Sequence, residues 1–285
     1  MQIISTIKGI KEFVRKLYAQ SPEIKTVLVP TMGFLHEGHL SLIDIARQNG
    51  DFIIVSIFVN PLQFNNAQDL EHYPRNMEKD IEMLKSKGVD LLFSPDEKEV
   101  YPDEKPSIVM DYPELTNKLC GKFRPLHFSG VMTIVHNLFQ WIKPQIAVFG
   151  LKDYQQYLII KTMVKDLAFD ITIMGGIAVR EKSGIVLSSR NSRLSEKGKN
   201  DALVISRSLF KVENEWKKGN RSFDTLQSIL ERELSGINIE YCGLYNSQTL
   251  KPASLNDTKI LVAVAGYVEE IRLIDNILLD EPGFL

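Results

Sequence analysis

Cysteine is scarce in this chain of 285 residues, which has only Cys120 and Cys242. Neither belongs to a C-x-x-C pair, so a disulfide-stapled framework and a zinc ribbon are excluded, and two ordinary thiols in a reducing compartment are expected. An excess of one charge is lacking too: 34 Lys and Arg stand against 36 Asp and Glu, a formal net charge of -2. Without a dense basic stripe or an acidic tail, nucleic acid is not the expected partner. No apolar run approaches the roughly 20 residues of a membrane span. Met1 to Tyr18 carries Lys8, Lys11, Arg15 and Lys16 without the apolar block of a secretory signal. Internal repeats, low-complexity tracts and recognisable metal-ligand clusters are missing as well. What remains is a cytoplasmic protein with neither membrane nor nucleic-acid partner, long enough for one large domain or two modest ones.

What is present alternates strands with helices. Ile7 to Ala19 has apolar positions at helical spacing, and Thr26-Val27-Leu28-Val29 reads as a buried strand. Leu40 to Arg47 reads as a helix stopped by Gly50, and Phe52 to Val59 is almost uniformly apolar, as in a parallel strand covered on both faces. Helices are expected over Asn76 to Lys87, Val131 to Trp141 and Lys161 to Leu167, with strands at Val89 to Phe93, Gln145 to Phe149 and Ile171 to Met174. Between Ser94 and Asn117 four prolines imply a connection around one short strand, Ser107 to Met110. The expected fold is α/β, a Rossmann-like parallel sheet with helices on both faces. Gly175-Gly176 marks a boundary, dividing residues 1–176 from a smaller α+β domain over 177–285. There helices near Asp201 to Lys218 and Phe223 to Leu234 precede short strands at Ile237 to Leu244, Lys259 to Ala265 and Glu270 to Ile274.

Three strand-to-helix turns carry side chains suited to phosphate chemistry. Pro30 to His39 places His36 and His39 at a strand's carboxyl end and a helix's amino end, where an open parallel sheet binds ligands and helix N–H groups favour phosphate. Histidine adds a side chain able to donate to a phosphate oxygen on which charge develops, and Gly38 allows close approach. Taken alone, H-x-G-H reads equally well as an exposed helix start or as two metal ligands lacking a third. In the next loop, Asn60 and Gln63 offer amides for a hydroxyl or carboxylate, or simply cap their own backbone. Lys122, Arg124 and His127 form either a cationic loop or a solvated turn. Gly150 to Gln156 repeats the strand-to-helix geometry, with Lys152 as a point charge for phosphate and Gln156 one turn into the helix. Beyond the boundary, Ser188, Ser189 and Arg190 are donors for phosphate oxygens, or a hairpin and helix cap.

The strings P-T-M-G-F-L-H-E-G-H at 30 to 39, F-V-N-P-L-Q-F at 58 to 64, H-F-S-G-V at 127 to 131, F-G-L-K-D-Y-Q-Q at 149 to 156, L-S-S-R-N at 187 to 191 and R-L-I-D-N at 272 to 276 occur in this order. The ordered set resembles the pantothenate synthetases (pantoate-beta-alanine ligases), within the H-x-G-H nucleotidyltransferase superfamily, over nearly the whole chain. The resemblance implies ATP-dependent ligation of pantoate and β-alanine through a pantoyl adenylate, with Mg2+ carried on ATP, and a homodimer. By position it implies an ATP loop of Met32, Gly33, Phe34, Leu35, His36, Glu37, Gly38 and His39, with His39 as proton donor and His36 beside the phosphates. It implies a second ATP contact at Gly150, Leu151, Lys152 and Asp153, an adenine contact at the Val179 backbone, and a phosphate grip of Leu187, Ser188, Ser189 and Arg190. Gln63 corresponds to a contact with pantoate and β-alanine, Gln156 to a second pantoate contact, and Asn60 to the pocket wall. Catalytic roles thus fall on His39, His36 and Lys152, and no protein metal ligand is implied. Leu126, Asn65-Asn66, Ser183 and Gly175-Gly176 depart from the family pattern, each at a loop edge. A nucleotidyltransferase that keeps the nucleotide in its product would use the same phosphate loops, but the paired glutamines favour a small hydroxy acid. A non-catalytic nucleotide-binding protein would not need His36, His39 and Lys152 together.

Overall fold

The structure is a computed structural model and describes residues 1–104 and 106–280. The first part builds strands β1 (Gln2–Ile4), β2 (Thr26–Thr31), β3 (Phe52–Ile57), β4 (Leu91–Phe93), β5 (Ile146–Gly150) and β6 (Thr172–Gly176). Around them lie helices α1 (Ile7–Gln20), α2 (Glu37–Asn49), α3 (Ala67–Glu71), α4 (Met77–Ser86), α5 (Glu97–Val100), α6 (Pro113–Thr116), α7 (Leu119–Phe123), α8 (His127–Ile142) and α9 (Tyr154–Asp166). The strands form one parallel sheet in the order β1-β4-β3-β2-β5-β6. From β2 the chain therefore runs outward through β3 to β4, then returns to lay β5 on the other side of β2. That reversal opens a crevice at the carboxyl ends of β2 and β5, the general ligand position in such sheets.

Both faces of the sheet are covered, which is why its strands read as continuous apolar runs. Val27, Val29, Ile53, Val55 and Ile57 pack with Leu42 and Ile43 of α2 and Leu84 of α4. Their alternates Leu28, Ile54 and Phe58 pack with Ile10 and Val14 of α1 and with Val131 and Val135 of α8.

Beyond Gly176, α10 (Glu196–Lys217) and α11 (Phe223–Glu233) lead to an antiparallel sheet of β7 (Asn238–Asn246), β8 (Lys259–Val268) and β9 (Ile271–Asp280). Alternation along β8 explains how this sheet sits: Ile260, Val262 and Val264 pack on α10 and α11, whereas Leu261 and Ala263 join the core around α8 and α9.

The expected strand Ser107 to Met110 does not form. Pro106 withholds an N–H at its start, and Ile108 and Val109 stand 78 and 63 % exposed, with no apolar face to bury them. α8 begins at His127 rather than Val131, because the Arg124 and Leu126 carbonyls accept the His127 and Gly130 N–H groups. Three-residue β1 pairs with β4, too short a segment to show periodicity in the sequence.

Candidate active site

The turn after β2 is held from below. Gly33 lies at φ +79° and a Cβ there would come within 3.0 Å of Asp80 and of Ile57, so the position requires glycine. Asp80, on α4 and 2 % exposed, accepts the Phe34 N–H at 2.8 Å on one oxygen and the Leu35 N–H at 2.7 Å on the other. Phe34 is thereby kept in the left-handed region at φ +51°. The chain then enters α2, where His36 Nδ1 accepts the Gly38 N–H at 3.1 Å and His39 Nδ1 accepts the His36 N–H at 3.3 Å. An Nδ1 that accepts has no proton, so in each neutral ring the hydrogen sits on Nε2. The rings lie 4.1 Å apart. Burial, then the charge of Lys152, pushes His36 down to about 4; burial, then His36 and Lys152, pushes His39 down to about 3. Near neutral pH the site therefore holds two uncharged imidazoles with Nε2–H donors.

A second network fixes the polarity of the glutamine beside them. The Gly130 carbonyl can only accept, so Asn60 turns Nδ2 toward it at 3.0 Å and gives its other N–H to Gln63 Oε1 at 3.0 Å. Tyr101 donates to the remaining Asn60 oxygen at 2.9 Å. Gln63 consequently presents its NH2, one hydrogen of which meets the Met32 sulfur at 3.0 Å. The Gln63 carbonyl accepts from Arg124 at 3.1 Å and from His127 Nδ1 at 2.6 Å, which leaves His127 Nε2 to accept from Arg124 at 3.3 Å. Burial, then Arg124, holds the His127 imidazole down at about 3, so it is a neutral spacer rather than a cation.

The third turn follows β5. Asn276 of β9 donates both amide hydrogens to it, to Leu151 O at 3.1 Å and Lys152 O at 2.7 Å. The adjacent Asp275, 3 % exposed, receives both Nη groups of Arg180 at 2.6 and 2.9 Å, which ties the 180–186 hairpin to the same strand. Lys152 Nζ lies 3.7 Å from Asp153. Burial alone would raise the Asp153 carboxyl, but Lys152 and then Arg190 outweigh it and hold it below the usual range. On the fourth segment, Arg190 and Arg193 each reach one oxygen of Asp69 on α3 at 2.9 Å.

These turns enclose one cavity of about 220 Å³. Met32, His36, Gly38, His39, Asn60, Gln63, Gly150, Lys152, Asp153, Gln156, Val179, Leu187, Ser188, Ser189 and Arg190 all line it. The other expected residues lie outside this lining. Gly33 and Phe34 border a neighbouring cleft, Leu35 is buried in the sheet core, Glu37 is exposed in the first turn of α2, and Leu151 packs under β9. Asn60, 1 % exposed, spends every polar group on protein, so it orients Gln63 and leaves nothing for a ligand. Lys122 is exposed beside Phe123, whereas Arg124 and His127 face the cavity. Sequence reasoning missed Asp80, Tyr101 and Asp69, and gave Asn276 no role although it ends the R-L-I-D-N string; of the first three, Asp80 left a trace, a carboxylate four residues before buried Leu84 on the apolar stripe of α4. Among the described residues no three His, Cys, Asp or Glu side chains converge as a metal cage, and no helix is long and apolar enough to cross a membrane.

Residues 2–278 match the sequence model of the family described as pantoate-beta-alanine ligase. Pantothenate synthetase of Leptospira interrogans is 42% identical over 285 residues, covering 99% of both chains. That of Desulfitobacterium hafniense is 43% identical over 284 residues, covering 98% of this chain and 99% of its own. Among solved structures, pantothenate synthetase from Thermus thermophilus superposes with a TM-score of 0.90 at 38% identity, covering 97% of this chain and 99% of its own. Pantoate-beta-alanine ligase from Francisella tularensis, complexed with beta-gamma ATP and β-alanine, gives 0.81 at 37% identity, covering 98% and 97%.

Proposed function

Because the chain belongs to the pantoate-beta-alanine ligase family, and is therefore a ligase of this type, we propose that it works through a pantoyl adenylate. A pantoate carboxylate oxygen attacks the α-phosphorus of ATP and pyrophosphate leaves. The amine of β-alanine then attacks the acyl carbon of the adenylate, AMP leaves, and pantothenate forms. The observation that carries this reading is convergence: His36, His39, Lys152, Ser188 and Arg190 line the same cavity as Gln63 and Gln156. Phosphate-directed donors thus share one cavity with amides suited to a small hydroxy acid, which is what in-line attack within one site needs.

In this reading His39 and His36 act as neutral hydrogen-bond donors through Nε2–H, while positive charge comes from Lys152 and Arg190. A proton carried on either ring would have to overcome the burial that holds both well below neutrality. Gly150 to Asp153, Val179 and the Leu187 to Arg190 segment contact the nucleotide; Gly33, Phe34, Leu35, Glu37 and Leu151 contribute through backbone alone. Gln63 donates its N–H to pantoate and receives β-alanine nearby, and Gln156 is the second pantoate contact. Mg2+ enters on the ATP phosphates, a role compatible with an ion that keeps several waters and takes few protein ligands.

Residues 1–176 and 177–285 then serve as a binding unit and a lid carrying Ser188 to Arg190, with hydrolysis of the adenylate limited by enclosure. A homodimer fits the exposed Ile108 and Val109, which lie outside any helix or strand, and sedimentation would report it. Free Cys120 and Cys242 suit the cytoplasm. The decisive experiment is exchange of labelled pyrophosphate into ATP. Pantoate alone should support exchange, and AMP should accumulate only when β-alanine is added. Exchange that needs β-alanine, or no exchange at all, overturns the adenylate.

A further inference from the structure

Among the described residues one buried side-chain polar atom has no hydrogen-bond partner, the hydroxyl of Ser56. Ser56 is 1 % exposed and is the next-to-last residue of β3, at its carboxyl end, between Pro30 of β2 and Phe93 of β4 in register. Alternation puts it on the sheet face of Ile54 and Phe58, its apolar neighbours along the chain, which pack against α8. A structural role would call for valine or isoleucine here, as at Ile54 and Val55. The backbone gives the hydroxyl nothing to do, since the Ser56 carbonyl already accepts from Thr31 Oγ1 at 2.9 Å. The residue nevertheless lines the active-site cavity, on its apolar side together with Pro30, Phe58, Val131, Ile134 and Leu138. Buried hydroxyls in folded proteins are satisfied, and an unmet one on a residue that lines a cavity has what the cavity binds as its available partner.

We propose that the Ser56 hydroxyl is a specificity-determining contact for the hydroxy acid, hydrogen-bonded to one of its alcohol groups while the acid's alkyl centre fills the apolar floor around it. The inference rests on pantoate being the acid. Pantoate fits this division, because its hydroxyls on C2 and C4 flank a quaternary carbon bearing two methyls. The polar end of the cavity, with Lys152 and the Gln63 NH2, then takes the carboxylate toward the nucleotide. Ser56 reads the part of the acid that a plain carboxylate would lack.

Ser56→Ala tests this by separating stability from specificity. Removing an unmet hydroxyl from an apolar face should leave the thermal midpoint unchanged or raise it. In pyrophosphate exchange the KM for pantoate should rise about 5- to 10-fold, the size of one neutral hydrogen bond, with the KM for ATP changed less than about 2-fold. Analogues lacking the C2 or the C4 hydroxyl identify the partner: the parent should discriminate against one of them, and Ser56→Ala should lose that discrimination. An unchanged pantoate KM, or an equal rise for pantoate and both deoxy analogues, overturns the contact and leaves the hydroxyl to water. Failure of the parent to exchange with pantoate would instead refute the functional reading, and this inference with it.

Discussion

Asp80→Asn should weaken both the fold and the grip on ATP, and the structure sets the size of the effect. The carboxylate receives two backbone N–H groups on separate oxygens, at 2.8 and 2.7 Å, inside the protein. Hydrogen bonds to a charged group contribute about 1.5–3 kcal/mol each. Asparagine keeps one acceptor and turns an NH2 toward the other N–H, so one bond is lost and a buried donor faces a donor. The expected loss is about 3 kcal/mol. With a urea m value near the upper end of the usual ~1–3 kcal/mol/M, the midpoint falls by roughly 1 M. The turn has a way to avoid part of that loss: Phe34, strained at φ +51°, relaxes toward the ordinary region and the loop lets go of α4. Whatever stability is recovered in this way should be lost from the proposed ATP site, because the same loop positions His36 and His39. The KM for ATP in pyrophosphate exchange should therefore rise by about tenfold or more, and that for pantoate much less. Asp80→Ala, which removes both acceptors and leaves two buried N–H groups unmet, should be at least as severe. A variant Asp80→Asn with parental urea midpoint and parental KM for ATP would refute the reasoning.

Gly130→Ala should displace Gln63: a Cβ would lie 2.5 Å from the Leu62 carbonyl group and 2.8 Å from Gln63 N. Overpacking of that kind costs about 1–3 kcal/mol, and steady-state kinetics should show it in the KM for pantoate before the KM for ATP. Asn276→Ala removes both donors from the Lys152 turn and should raise the KM for ATP several-fold, while Asn276→Asp, which sets a carboxylate against two carbonyls, should be worse; equal kinetics for all three proteins would show that the turn holds itself. Acid should destabilise the fold earlier than carboxylate titration alone would. His36, His39 and His127 stay neutral in the fold down to about 4, 3 and 3, so as pH falls below the ordinary 6.5 the unfolded chain binds protons that the folded chain refuses. Stability is then full above 6.5 and declines below it, by at most about 1.4 kcal/mol per pH unit for each imidazole. Calorimetric unfolding at pH 5.5 in two buffers should show uptake of about two to three protons, and uptake near zero would refute the neutral assignments.

The sheet was legible in the sequence because burial on both faces makes β2, β3 and β5 continuous apolar runs, a signal that survives without any knowledge of the neighbours. The histidine turn was legible for a related reason: strand, glycine, histidine pair and helix are contiguous. What escaped depends on residues that meet only in space. Asp80 supports a loop 46 positions before it, and Asn276 supports a turn 124 positions before it. Ser56 was invisible within its apolar run, since a single hydroxyl in a strand breaks neither period nor hydropathy. The expected strand Ser107 to Met110 failed for the converse reason: its residues have strand propensity, but no sheet edge is offered to them, and propensity is weak without a partner. Asn60 shows the same limit at the site, because its residue type suggested a ligand contact and only its three occupied hydrogen-bonding groups identify it as support for Gln63.

Under the proposed function, the electrostatics of the free cavity bear on how a triphosphate would be both bound and released. Two histidines there are held neutral, so the cations facing the cavity centre are chiefly Lys152, Arg124 and Arg190. Lys152 already has Asp153 at 3.7 Å, and Arg190 already shares Asp69 with Arg193. Phosphate oxygens arriving at Arg190 must compete with a carboxylate that is half-buried and held in two-sided contact, so part of the attraction is offset before any ligand enters. Were both imidazoles protonated as well, the cavity would favour the fully charged triphosphate and the leaving pyrophosphate alike, which deepens ground-state binding without favouring the transition state. Neutral Nε2–H donors would avoid that. In the proposed mechanism they would strengthen as charge accumulates on the oxygens they face and add no net charge when the site is empty, so burial of His36 and His39 would serve turnover through the same desolvation that makes them costly to the fold in acid.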